Sequence, residues 1–109
     1  MIQIINLQQL QDSINIGNPI LVYFSGENCG VCKVLKPKIE EEIKKAFPKF
    51  ELFEIKTDIY FELTAQYMIF SIPTTIIYFD KKEFKRYGRN MNMATFLEEI
   101  KRPYSLMCE

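Results

Sequence analysis

The chain of 109 residues has no tryptophan, no histidine and no excess of charge, with 14 Lys plus Arg balancing 14 Asp plus Glu. A balanced chain projects no broad basic field toward phosphates, so general nucleic-acid binding is excluded. With no histidine and three cysteines, one chain cannot supply the usual four-ligand His/Cys zinc set. No stretch approaches the ~18 apolar residues of a membrane span. The opening MIQIINLQQLQDSINIGN has no positive leader region, sustained apolar centre or small-residue cleavage pattern. A cytoplasmic protein without membrane association is expected. Repeats, low-complexity tracts and Gly/Ser linkers are also missing, so residues 1–109 read as one domain.

What is present suits a globular chain: 48% hydrophobic, 14% aromatic and 26% charged residues. A domain of this length buries a core without a metal or disulfide staple, which leaves the cysteines available for chemistry. Three cysteines cannot all pair within one chain, and only Cys29 and Cys32 are closely spaced. That usage fits a reducing compartment and catalytic or metal-binding thiols better than a secreted disulfide framework.

Hydrophobic periodicity places the elements. Ile2, Ile4 and Ile5 suit a short edge strand, followed by a helix from Leu7 to Ile16 with Asn6 as cap and Gly17 as stop. Pro19 to Phe24 is a continuous apolar run, the pattern of a central strand covered on both faces, and Ser25 to Asn28 breaks it. From Gly30 to Ala46 the residues Val31, Val34, Leu35, Ile39, Ile43 and Phe47 recur at helical spacing, and Pro37 is expected to kink that helix.

Phe50 to Thr57 alternates as a strand, and Asp58 opens a helical stretch to Met68. Tyr60, Phe61, Tyr67 and Phe70 are expected to pack in the core from that region. Thr74 to Phe79 is a second buried strand; Asp80-Lys81-Lys82 turns into an antiparallel partner, Glu83 to Tyr87, closed by Gly88. Lysines 81, 82 and 85 with Arg86 read as a solvated turn and edge. A last helix runs from Met93 to Lys101 with Asn90 or Asn92 as cap and Pro103 as stop. The order βαβαβαββα indicates an α/β sandwich, its mixed sheet flanked by helices in three layers.

Cys29-Gly30-Val31-Cys32 falls where a buried strand meets a helix. Unsatisfied N–H groups and the positive end of the helix dipole favour a thiolate at Cys29. Two intervening residues bring Cys32 within bonding range on one helical turn, so Cys32 can expel a mixed disulfide formed at Cys29. Cys108, near the C-terminus, reads as a spare solvent thiol.

With these features in place, the chain resembles the thioredoxin family over nearly its whole length. The CxxC pair is followed by Lys33 and by a helix-kinking proline at Pro37; Ile72-Pro73-Thr74 matches the family's cis-proline signature ahead of a hydrophobic strand, and Gly88 its glycine after the hairpin. The resemblance implies a thioredoxin fold and a protein-disulfide reductase acting through a Cys29/Cys32 dithiol cycle. It needs no bound cofactor. It further implies a cis Pro73 against the sulfurs, strand-like hydrogen bonds from the Ile72 backbone to substrate, and a docking surface completed by Gly30, Val31 and Gly88. The implied partners are protein disulfides, with an NADPH-dependent flavoprotein thioredoxin reductase as electron donor. A monomer is expected.

Ser25 and Asn28 stand where thioredoxins usually carry tryptophan, and Tyr23 where they carry the buried aspartate that helps deprotonate the second cysteine. The family's lysine on the neighbouring strand aligns with Glu54. Glu54 is therefore the candidate acceptor of the Cys32 proton, a role that requires poor solvation to raise its pKa toward neutral. Otherwise it is a solvated strand residue and water takes the proton. The altered surface also suits a specialised oxidoreductase with one dedicated partner, or a non-catalytic module that docks through the Ile72–Pro73 groove.

Overall fold

The computed structural model describes residues 1–108. In chain order the elements are β1 (Ile2–Gln3), α1 (Leu7–Asn15), β2 (Ile20–Ser25), α2 (Gly30–Ala46), β3 (Glu51–Lys56), α3 (Phe61–Gln66), β4 (Thr74–Phe79), β5 (Lys82–Tyr87) and α4 (Met93–Cys108). The strands form one sheet in the order β1-β3-β2-β4-β5. β3 is parallel to both β1 and β2, whereas β4 runs antiparallel to β2 and to β5. This is the mixed α/β sandwich implied by the alternation of strand and helix patterns.

β2 lies at the centre, and all six of its residues are buried. Strand alternation divides them between two cores. Leu21 and Tyr23 join Ile39 and Ile43 of α2 and Phe96 and Ile100 of α4 on one face. Val22 and Phe24 join Leu10 of α1 and Leu63 of α3 on the other. The sheet is thus covered on both sides, and β2 ends directly below the N-terminus of α2.

Local sequence explains the element ends. Asn6 caps α1 by accepting from the Gln9 amide at 2.8 Å, and Gly17 leaves that helix with φ +89°. Asn92 caps α4 in the same way, accepting from the Thr95 amide at 3.0 Å. The β4–β5 turn is tighter than the three residues the sequence suggests. Only Asp80 and Lys81 lie between the strands, with φ of 50° and 71°, the left-handed backbone of a two-residue hairpin.

Several further sequence expectations are corrected. Ser25 does not break β2 but ends it, buried, because its hydroxyl donates to the Glu54 carboxylate at 2.8 Å. α3 is only six residues long and leaves Phe61 and Phe70 at 70% and 91% exposure; among the four aromatics, only Tyr60 and Tyr67 pack against the core, both partly buried. On α2, Val31 and Val34 face solvent, while Cys32, Ile39 and Ile43 carry the buried stripe.

α4 continues through Pro103 for another turn. An interior proline loses one backbone hydrogen bond and crowds the preceding turn, at a cost of ~3 kcal/mol. Tyr104 offsets this: its ring packs 4.8 Å from that of Phe47 and stacks on Phe50 at 5.7 Å, and its hydroxyl accepts from the Lys49 amide at 3.0 Å. The extension brings Cys108 against the same core, partly buried. It is not the fully solvent-exposed thiol that its place in the sequence suggests.

Candidate active site

Cys29 and Cys32 are joined as a disulfide, with Cα atoms 5.2 Å apart. Cys29 is the N-cap of α2, in extended conformation, and its Sγ accepts from the Cys32 amide at 3.1 Å. A sulfur in this position faces an N–H that the helix leaves unpaired, together with the positive end of a 17-residue dipole. Both favour negative charge on Cys29. Cys32 lies one turn in, and the two side chains are 8% and 3% exposed. Cys29 is the more exposed residue of the pair.

Beneath the pair, Tyr23 takes the place of an acid. Its hydroxyl donates to the Cys32 carbonyl at 2.7 Å. Burial, and then the charge of Glu54, push its pKa far up, so it remains a hydrogen-bond donor and not a base. Tyr23 therefore fastens the first turn of α2 to the sheet.

Glu54 is opposite Tyr23 in the β2–β3 register and is buried, 2% exposed. Its carboxylate accepts from Gln3 at 2.6 Å and from Ser25 and Lys36 at 2.8 Å, with the Lys56 ammonium at 3.6 Å. Burial by itself pushes the carboxyl up, but the bonds from Lys36, Gln3 and Ser25 and the Lys36 charge outweigh it and hold the pKa down at about 2. This corrects the expected rise toward neutral. A carboxylate held so low is a weak proton acceptor, and its hydrogen-bond partners include neither cysteine.

The Ile72–Pro73 peptide bond is cis. Ile72 packs against the core cluster that contains both cysteines, and Pro73 is buried. A Cβ on Gly26, in the loop leading to Cys29, would come within 2.7 Å of the Ile72 side chain, so these two loops touch. Thr74 donates to the Ser71 carbonyl at 2.7 Å, and Arg89 to the Ile72 carbonyl at 2.8 Å.

The remaining sequence-derived site residues fall on two separate surfaces. Gly30 and Val31 line an apolar hollow of about 490 Å³ with Val34, Leu35 and Lys38. Gly88 lines a cleft of about 540 Å³ with Ser71, Arg89 and Thr95 among its walls. Sequence reasoning missed Lys36 and Arg89, and read Ser25 only as a replaced tryptophan and not as a partner of Glu54. Lys36 alone carried a signal, being four residues beyond Cys32 and so on the same helical face. Among the described residues, no three His, Cys, Asp or Glu side chains converge as a metal set, and no helix is long and apolar enough to cross a membrane.

Comparison with known proteins agrees with this arrangement. The Thioredoxin family model matches residues 2–102. The thioredoxin of Chlamydia trachomatis is 34% identical over 86 residues, covering 79% of this chain and 82% of that protein. The X-ray structure of Fasciola hepatica thioredoxin superposes with a TM-score of 0.79 at 29% identity, covering 95% and 99% of the two chains. Trypanosoma brucei brucei thioredoxin, at 17% identity, shares the fold with a TM-score of 0.82 over 94% and 88%. A match spanning β1 to α4, on a sheet whose central strand delivers two bonded cysteines to a helix N-terminus, leaves one assignment: the chain belongs to the thioredoxin family.

Proposed function

We propose that the protein is a protein-disulfide reductase of the cytoplasm, cycling Cys29 and Cys32 between dithiol and disulfide. The observation that carries this reading is the bonded pair itself, placed at the N-terminus of α2 in a thioredoxin-family chain. Family membership and that pair support thiol–disulfide exchange as the reaction class.

In the proposed cycle the Cys29 thiolate attacks one sulfur of the substrate disulfide, and the other leaves as a thiolate that takes up a proton. Cys32 then loses its proton and attacks Cys29. The second substrate thiolate leaves and is protonated, and the pair is oxidised. Glu54, already ionised and bound to Lys36, anchors α2 to β3 while water carries the Cys32 proton. Pro73 and the Ile72 backbone position the extended substrate segment, with Gly30, Val31 and Gly88 on the surrounding surface. Electrons return from another dithiol, in this reading an NADPH-dependent flavoprotein thioredoxin reductase, and the protein acts as a monomer.

Insulin reduction driven by dithiothreitol tests the reading. The protein should accelerate it, whereas Cys29→Ser should return the rate to background. Cys32→Ser should hold substrates on Cys29 as mixed disulfides recoverable from cell extract. Absence of turnover in the unsubstituted protein would instead support a non-catalytic docking module.

A further inference from the structure

One charged side chain at the Ile72–Pro73 loop takes no part in the cysteine cycle. Arg89 follows Gly88 just beyond β5; it is exposed, yet its guanidinium donates to the Ile72 carbonyl at 2.8 Å. The other cations lining the same cleft are matched, Arg86 by Glu83 and Lys85 by Glu99. Among the described residues, Arg89 has no carboxylate within ion-pair distance. A guanidinium has five N–H donors in a planar fork, and one bond to a neutral carbonyl leaves its charge uncompensated. A carboxylate is the stronger partner, because it accepts two charge-assisted bonds at once.

The bond has a second consequence at the cysteine pair. It occupies the Ile72 carbonyl, the acceptor that an extended substrate segment would use if the disulfide-reductase reading above holds, and the present inference rests on that reading. A carbonyl has two lone pairs, so a substrate N–H would share this oxygen with Arg89, each bond weakening the other. A substrate carrying a carboxylate beside its disulfide relieves the sharing: it draws the guanidinium away, pairs with it and frees the carbonyl. We propose that Arg89 is a specificity-determining residue, selecting disulfides flanked by acidic residues.

The test uses Cys32→Ser/Cys108→Ser protein, in which Cys29 is the one remaining thiol. Its substrates are short peptides carrying a central cysteine as a mixed disulfide with thionitrobenzoate, flanked by Asp, Asn or Lys. The Cys29 thiolate attacks the peptide sulfur, the bond to thionitrobenzoate breaks, and the coloured thiolate leaves with the electron pair. Each rate is divided by that of the same peptide with dithiothreitol, which removes intrinsic reactivity.

At low salt the Asp peptide should react about 2- to 5-fold faster than the Asn peptide, the range expected for one exposed ion pair. The Lys peptide should be slowest, and the differences should shrink in ~1 M salt, where charges are screened within a few ångströms. Arg89→Gln, which keeps a donor for the Ile72 carbonyl but no charge, should abolish the preference, and Arg89→Lys should retain part of it. A purely structural role would change all three peptides alike. Equal normalised rates, or a preference that survives Arg89→Gln, would overturn the assignment of Arg89 alone. No thionitrobenzoate release from any peptide would overturn the disulfide-exchange reading and this one with it.

Discussion

Glu54 is held as a carboxylate by side chains from β1, β2 and α2, namely Gln3, Ser25 and Lys36. Its fall from 4.5 to about 2 corresponds to ~3 kcal/mol of stability at neutral pH. Because the folded pKa lies below the unfolded one, that contribution is complete above about pH 5 and is lost as the pH falls through 2. Glu54→Gln should therefore destabilise the protein by ~2–3 kcal/mol at pH 7 and by little at pH 2. Urea unfolding of both proteins across that range checks it; parallel profiles would show that Glu54 is not the linked group. Tyr23→Phe removes a buried hydroxyl donor from a carbonyl and should cost ~1 kcal/mol, read in the same denaturation experiment. The family resemblance placed Glu54 on the strand beside Tyr23, and the two are register partners. It did not disclose the sign of the Glu54 shift, which depends on three donors from segments far apart in the chain.

Among the elements, those whose pattern and chemistry agree were legible to within a residue or two: β2 from its unbroken apolar run, α2 from its period and β4 from its buried strand. α4 was cut short at Pro103 because the proline rule is local, whereas the ring stacking of Tyr104 on Phe50 is tertiary. Pro103→Ala restores a donor toward the Glu99 carbonyl and should stabilise the protein by ~1–3 kcal/mol, raising the urea midpoint. Val31 and Val34 keep helical spacing with Leu35, yet both are exposed while Cys32, Ile39 and Ile43 are buried. The β4–β5 turn holds Lys81 at φ 71°, a conformation that costs a non-glycine residue ~1 kcal/mol or more. Lys81→Gly gives the Asp-Gly pair favoured in such turns. It should raise the thermal midpoint by several degrees, roughly 4–8 °C per kcal/mol for a domain of this size.

At the scale of the whole molecule, the topology sets the cysteine pair just beyond the end of the most enclosed strand. β2 pairs along its length with β3 on one side and β4 on the other, and both faces are covered. β1 contributes two residues at one edge, and β5, largely exposed, forms the other. The loop after β2 carries Cys29, touches Ile72 through Gly26 and starts α2, so the cysteine pair follows directly on the fully buried strand. Its surroundings are looser: the Ile72 loop follows a short helix with exposed apolar residues at 61, 68 and 70. In the proposed function, such a division would let a fixed sulfur meet a surface that adjusts to its substrate. Amide hydrogen exchange should accordingly be slowest at Leu21 to Phe24, through global unfolding alone, while β5 and the segment from Phe61 to Ser71 should open at lower free energy. Exchange followed by NMR at increasing sub-denaturing urea distinguishes the two classes. If the amides of the Phe61–Ser71 segment merged with those of β2 at every urea concentration, the sheet and the segment before Ile72 would open as one unit, and a rigid pair beside an adaptable surface would be the wrong description.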